Sequence, residues 1–125
     1  MSALPKPMTI DDFVSWEEQQ ELKYEFDGFA AEPRTGGSVA HADIQGNLLG
    51  ALRARLRGKP CRAFGSELKV RTDASVRYRD ALITCTRADP NSTIAPDPVV
   101  IFEILSRSSA RRDLGAKNAE YQSLA

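Results

Sequence analysis

The run Val99-Val100-Ile101-Phe102-Glu103-Ile104-Leu105 constrains this chain more than any other segment. Six of its seven residues are apolar and several are β-branched or aromatic, which predicts a central strand covered on both faces. A buried carboxylate is costly unless it is paired, protonated or bound to a cation, so Glu103 in that strand calls for a partner. Asp80, followed by Ala81-Leu82-Ile83, occupies a similar place in the segment before it. If the two strands pair, Asp80 and Glu103 can present their oxygens to one pocket, where they repel each other unless a cation intervenes. Hard oxygen donors suit magnesium or manganese, and such an ion suits hydrolysis of a phosphate ester.

The chain around this pair is of ordinary globular composition. Its 125 residues are 42% hydrophobic and 27% charged, sufficient for one domain (1–125) with one core. Lys plus Arg and Asp plus Glu number 17 each, so nucleic-acid binding would have to come from a local patch and not from overall charge. Neither a membrane-length apolar run nor the apolar centre of a signal peptide is present, which predicts a cytoplasmic protein with no membrane contact. Cys61 and Cys85, far apart in sequence, are expected to be buried free thiols in a reducing compartment, and with His41 as the lone histidine they do not make a zinc site.

Local signals predict an α/β (α+β) order. Thr9 caps a helix over 9–19 that buries Phe13 and Trp16, with Asp12 favouring its positive end. A hairpin over 23–32 turns at Asp27-Gly28. A second helix, 39–57, places Ile44, Leu48, Leu52 and Leu56 on one apolar face with Leu49 beside them, and stops at Gly58. Three strands follow within 61–105: Cys61 to Arg71, Tyr78 to Thr86 and Val99 to Leu105. A last helix, 110–124, is capped by the serines at 106–109 and carries Asp113, Lys117 and Tyr121 on one face at steps of four. Lys117 could reach the strand carboxylates, although the spacing by itself favours an ordinary i,i+4 ion pair with Asp113. Arg53, Arg55, Arg57 and Lys59 form a basic cluster at the end of the second helix, either a solvated face complementing the helix dipole or a phosphate contact.

Taken in order, Tyr24-Glu25-Phe26-Asp27-Gly28, His41 with Asn47-Leu48, Asp80, Phe102-Glu103-Ile104-Leu105-Ser106 with Ser108-Ser109, then Asp113, Lys117 and Tyr121 resemble the Uma family of bacterial restriction endonucleases, within the PD-(D/E)xK nuclease superfamily. The resemblance runs from about Met8 to Tyr121. It implies a restriction-endonuclease-like core, a central mixed sheet flanked by helices, and a Mg2+- or Mn2+-dependent endonuclease acting on DNA. By the same resemblance Asp80 and Glu103 are the metal ligands and Lys117 replaces the lysine of the E-x-K element, where Leu105 stands. Glu25 and His41 support the site, His41 as a helix N-cap or a hydrogen-bond partner close to it.

Three departures from the family pattern bear on activity. Arg79 stands where a proline precedes the motif aspartate, and could pair with Asp80 in competition with a metal. Pro96-Asp97 is read as a turn into the last strand, since prolines there block ladder hydrogen bonds. Relatives continue past the Tyr121 region, so the resemblance implies a core short of its closing strands, with an open sheet edge that a homodimer would cover. The alternative function is a catalytically inactive nuclease-fold remnant that binds DNA or protein.

Overall fold

A computed structural model describes residues 8–34 and 36–105 of the chain. The expected helix at 110–124, with Asp113, Lys117 and Tyr121, lies outside these residues. The elements run α1 (Ile10–Glu17), β1 (Tyr24–Phe26), β2 (Ala31–Pro33), α2 (Val39–Leu56), β3 (Arg62–Phe64), β4 (Lys69–Arg71), β5 (Val76–Tyr78), β6 (Ala81–Thr84) and β7 (Pro98–Phe102). No helix among the described residues is long and apolar enough to cross a membrane.

Short-range chemistry sets the helices and the first hairpin. Thr9 and Asp12 form a capping box, each side chain accepting from the other's main-chain N–H. In the turn after β1, one Asp27 oxygen accepts from the N–H groups of Phe29 and Ala30, both at 2.9 Å. Gly28 has φ +100°, and a Cβ there would come within 2.6 Å of the Ala74 carbonyl, so only glycine fits without movement. Ser38 caps α2 and Gly58, with φ +79°, ends it in the left-handed region.

The strands form two antiparallel sheets of order β2-β1-β5-β4 and β3-β6-β7. Two of the three strands expected within 61–105 are therefore divided. The first breaks at Gly65-Ser66-Glu67 into β3 and β4, and the second breaks at Arg79-Asp80 into β5 and β6, with the halves going to different sheets. The chain thus passes from one sheet to the other at Arg79 and Asp80.

Phe13, Phe26, Ala31 and Val76 form one core cluster between α1 and the first sheet, with the Phe13 and Phe26 rings stacked 5.2 Å apart. Val70, Leu82 and Ala95 form a second, packed by Phe64, Leu68 and Ile101. Beneath α1, Glu17 pairs with Lys69 at 2.9 Å and accepts from the Tyr78 hydroxyl at 2.6 Å. All three residues are buried. Burial, the hydrogen bond to Glu17 and that carboxylate's charge push the Tyr78 hydroxyl well above the ordinary tyrosine range.

Three further expectations change. The run at Val99–Leu105 is an edge strand among the described residues, and Val99 and Val100 are exposed; β6, with Ala81 and Leu82 fully buried, is the covered central strand. Hydropathy cannot separate the two, because what covers a strand is decided by distant elements. The inner face of α2 is rotated from its apolar stripe: His41, Gln45, Leu48, Leu49, Leu52 and Leu56 are half-buried, whereas Ile44 is exposed. Cys61 and Cys85 are not free thiols but a disulfide, and Cys85 is exposed. The register explains it: Arg62 lies opposite Thr84, so the cysteines one step outward are brought together at the end of the β3–β6 pair.

Candidate functional site

The register of β6 and β7 builds the site. Ala81 lies opposite Phe102, which sets Asp80 beside Glu103 one step beyond the ladder. The Ile104 N–H closes this junction by donating to Asp80 Oδ2 at 2.6 Å. The neighbouring sheet adds Glu25 from β1, whose Oε2 accepts from the Tyr78 N–H at 2.8 Å.

Helix α2 covers Asp80 with its two polar inner residues. His41 Nε2 lies 2.9 Å from Asp80 Oδ1, and the Gln45 side-chain amide donates to the Asp80 main-chain carbonyl at 2.8 Å. The cap of α2 is Ser38, whose hydroxyl oxygen accepts from the His41 N–H, so the imidazole is left to the carboxylate. A hydrogen-bond donor on one oxygen and a backbone N–H on the other fix the plane of the Asp80 carboxyl.

Arg79 does not pair with Asp80 in the way expected from their adjacency. Its Nη1 contacts both oxygens of Glu103, at 2.5 and 2.6 Å, and its Nη2 reaches Glu25 Oε2 at 3.3 Å. Arg77 lies 3.8 Å from the other Glu25 oxygen. A guanidinium thus bridges the two sheets between carboxylates from β1 and from the end of β7. The Arg79 side chain is buried, at 3% exposure, while those of Glu25 and Glu103 keep 20% and 23% of theirs. Among the described residues, the junction thus gathers three carboxylates, Glu25, Asp80 and Glu103, with Arg77, Arg79 and His41 against them.

Among the described residues no three His, Cys, Asp or Glu side chains form a group able to hold a metal ion. Two carboxylates on adjacent strands remain a suitable donor set for magnesium, which keeps most of its waters and takes one or two carboxylates with a substrate phosphate. Sequence reasoning brought Asp80, Glu103, Glu25 and His41 forward; the structure sets His41 on Asp80 and joins Glu103 and Glu25 through Arg79. It did not bring forward Gln45, although a polar side chain one helical turn after His41, at a position facing the sheet, was a usable signal. Nor did it give the Arg79–Glu103 contact, which depends on two strands far apart in sequence.

Comparisons with known proteins bear on the family and the fold. The Uma2 family model, described as "Putative restriction endonuclease", matches residues 10–125. An uncharacterized protein of Synechocystis is 30% identical over 113 residues, 88% of this chain and 60% of its own length. Among solved structures, a putative nuclease of the DUF820 group from Anabaena variabilis superposes with a TM-score of 0.64 at 20% identity, over 86% of this chain and 66% of that one. This chain therefore spans less than two thirds of the length of both relatives.

Proposed function

Because the chain belongs to the Uma2 family, whose description reads "Putative restriction endonuclease", we propose that it hydrolyses DNA phosphodiester bonds at the junction of its two sheets, with Asp80 and Glu103 as the ligands of a Mg2+ or Mn2+ ion. The observation that supports this reading is that Asp80 and Glu103 lie side by side where the chain crosses between sheets, with Glu103 and Glu25 converging on the Arg79 guanidinium. Carboxylates gathered at such cost around one cation are arranged for positive charge. A divalent ion there would neutralise phosphoryl oxygens and lower the pKa of a water.

The chain's own residues orient and balance that site. His41 and the Ile104 N–H hold the Asp80 carboxyl in one plane, and Gln45 fixes its backbone. Arg79 holds Glu103 through both oxygens, standing where the ion would share that carboxylate. An ion held by Glu103 would have to share that carboxylate with Arg79, whose positive charge would then favour a negative phosphoryl group. Lys117 is assigned the same electrostatic role from the following segment.

Supercoiled plasmid incubated with Mg2+ or Mn2+ tests the proposal. Nicking or linearisation by the wild-type chain, lost in Asp80→Asn and Glu103→Gln with unfolding midpoints unchanged, is the expected result. Equal cleavage by both variants would refute it, as would a wild-type chain that is inert with either ion. The second reading, a DNA-binding module without catalysis, is favoured by Arg79 alone and predicts DNA binding without cleavage.

A further inference from the structure

A second feature lies at the opposite end of α2 from Asp80. A cavity of about 260 Å³ opens between the helix terminus and β3, lined by Arg53, Leu56, Arg57, Gly58, Lys59, Cys61, Arg62 and Ala63. Four of these are cationic. Among the described residues no carboxylate pairs with any of them. Arg62 lies over the Phe64 ring, 5.4 Å from its centroid, a stack that occupies the guanidinium face and leaves its N–H edge available.

The helix dipole does not account for this gathering. A helix C-terminus carries about half a negative charge and is complemented by one or two cations such as Arg53. Lys59 and Arg62 lie beyond the helix and converge on the cavity from the connection and from β3. The volume is that of about eight waters, room for a phosphate group with part of its hydration shell. The Cys61–Cys85 disulfide ties the main chain of the cavity's wall, between Lys59 and Arg62, to the end of β6.

The half-buried seam of α2 connects this cavity to the acidic site. It begins at His41 and Gln45, which contact Asp80, and ends at Leu56, which lines the cavity. From His41 to Arg57 the helix advances about 24 Å. That is about seven base-pair steps along a duplex.

We propose that the Arg53–Arg57–Lys59–Arg62 cavity is a phosphate anchor for duplex DNA, holding a backbone phosphate about seven base pairs from the bond presented to Asp80. The choice of DNA rests on the nuclease reading above; the anion site rests on the cavity itself. The anchor acts through the backbone, so it positions DNA without reading its sequence.

Fluorescence anisotropy with labelled DNA hairpins, in calcium-containing buffer to suppress cleavage, tests the anchor. The wild-type chain binds a 14-base-pair stem more tightly than a 5-base-pair stem, and Arg57→Ala/Arg62→Ala weakens the long stem about tenfold and lowers its salt slope by about two. Binding of the short stem is unchanged by the substitutions, and Arg57→Lys/Arg62→Lys restores the salt slope. In an Asp80→Asn background Arg57→Ala/Arg62→Ala still weakens the long stem by the same factor, so loss of cleavage there and loss of anchoring here fail independently. An unchanged long-stem affinity and salt slope in Arg57→Ala/Arg62→Ala would overturn the proposal. Tighter binding of an RNA hairpin than of the DNA stem, or inorganic phosphate bound as tightly as the long stem, would overturn its assignment to duplex DNA.

Discussion

The molecule holds two clusters of opposed charge a few residues apart on the same strands, and they are built to different ends. Under α1, Glu17 is satisfied by Lys69, the Tyr78 hydroxyl and the Tyr24 N–H, and Lys69 also donates to Thr93. Glu17 and Lys69 are 6% and 3% exposed, with an aromatic cluster above them. At the sheet junction Arg79 is as deeply buried, but its carboxylate partners Glu25 and Glu103 are partly open. One cluster is closed within the core; the other keeps its carboxylates in reach of solvent. A buried ion pair is therefore no sign of function by itself, whereas a buried cation that holds partly exposed carboxylates marks a place where another cation can compete.

Truncating one partner in each cluster separates the two most widely. Glu17→Ala leaves Lys69 uncompensated in the core and costs about 3–5 kcal/mol. Glu103→Ala leaves the buried Arg79 still paired with Glu25, at a position that was partly exposed through Glu103, and costs about 1–2 kcal/mol. Urea unfolding of the two variants measures both, and comparable losses would dissolve the contrast. Tyr78→Phe removes a hydrogen bond to a carboxylate within the closed cluster, for a loss of about 1.5–3 kcal/mol by the same measurement. The smallest effect belongs to the Asp27 turn near the same sheet. Burial raises that carboxyl, but the N–H groups of Ala30 and Phe29 and the charge of Arg77 outweigh it and hold it below 3.8. A carboxyl lowered on folding adds stability above its unfolded value and loses it as pH falls through the folded one. Asp27→Asn should lower the unfolding midpoint slightly at pH 7 and flatten its decline below about pH 4, so that the two chains converge in acid.

Much of the site's membership was legible from residue type, and little of its wiring. Asp80 and Glu103 stood out because carboxylates beside apolar runs are costly, and the capping box at Thr9 and Asp12 could be seen because it closes over three residues. The split of two expected strands between sheets could not be seen, since a strand that changes sheet at Arg79-Asp80 has the same local hydropathy as one that does not. The same holds for the disulfide, which depends on the pairing of β3 with β6. The rotated face of α2 is the most instructive difference. Leucines alone define an apolar stripe, but His41 and Gln45 take the inward positions at its start because Asp80 lies beneath them, and Ile44 is turned outward. Where polar residues displace apolar ones from an inner face, the site is recorded in the mismatch.

The account turns on Arg79 occupying the place of a divalent cation, and Mn2+ binding to the Arg79→Gln variant tests this most directly. Removing one unit of charge near two carboxylates changes the ion's binding by about 1–4 kcal/mol, a gain of at least fivefold. Calorimetric titration with Mn2+ should show that tightening in Arg79→Gln, and its loss when Glu103→Gln is added. Equal Mn2+ affinity in the wild-type chain and in Arg79→Gln would contradict the account.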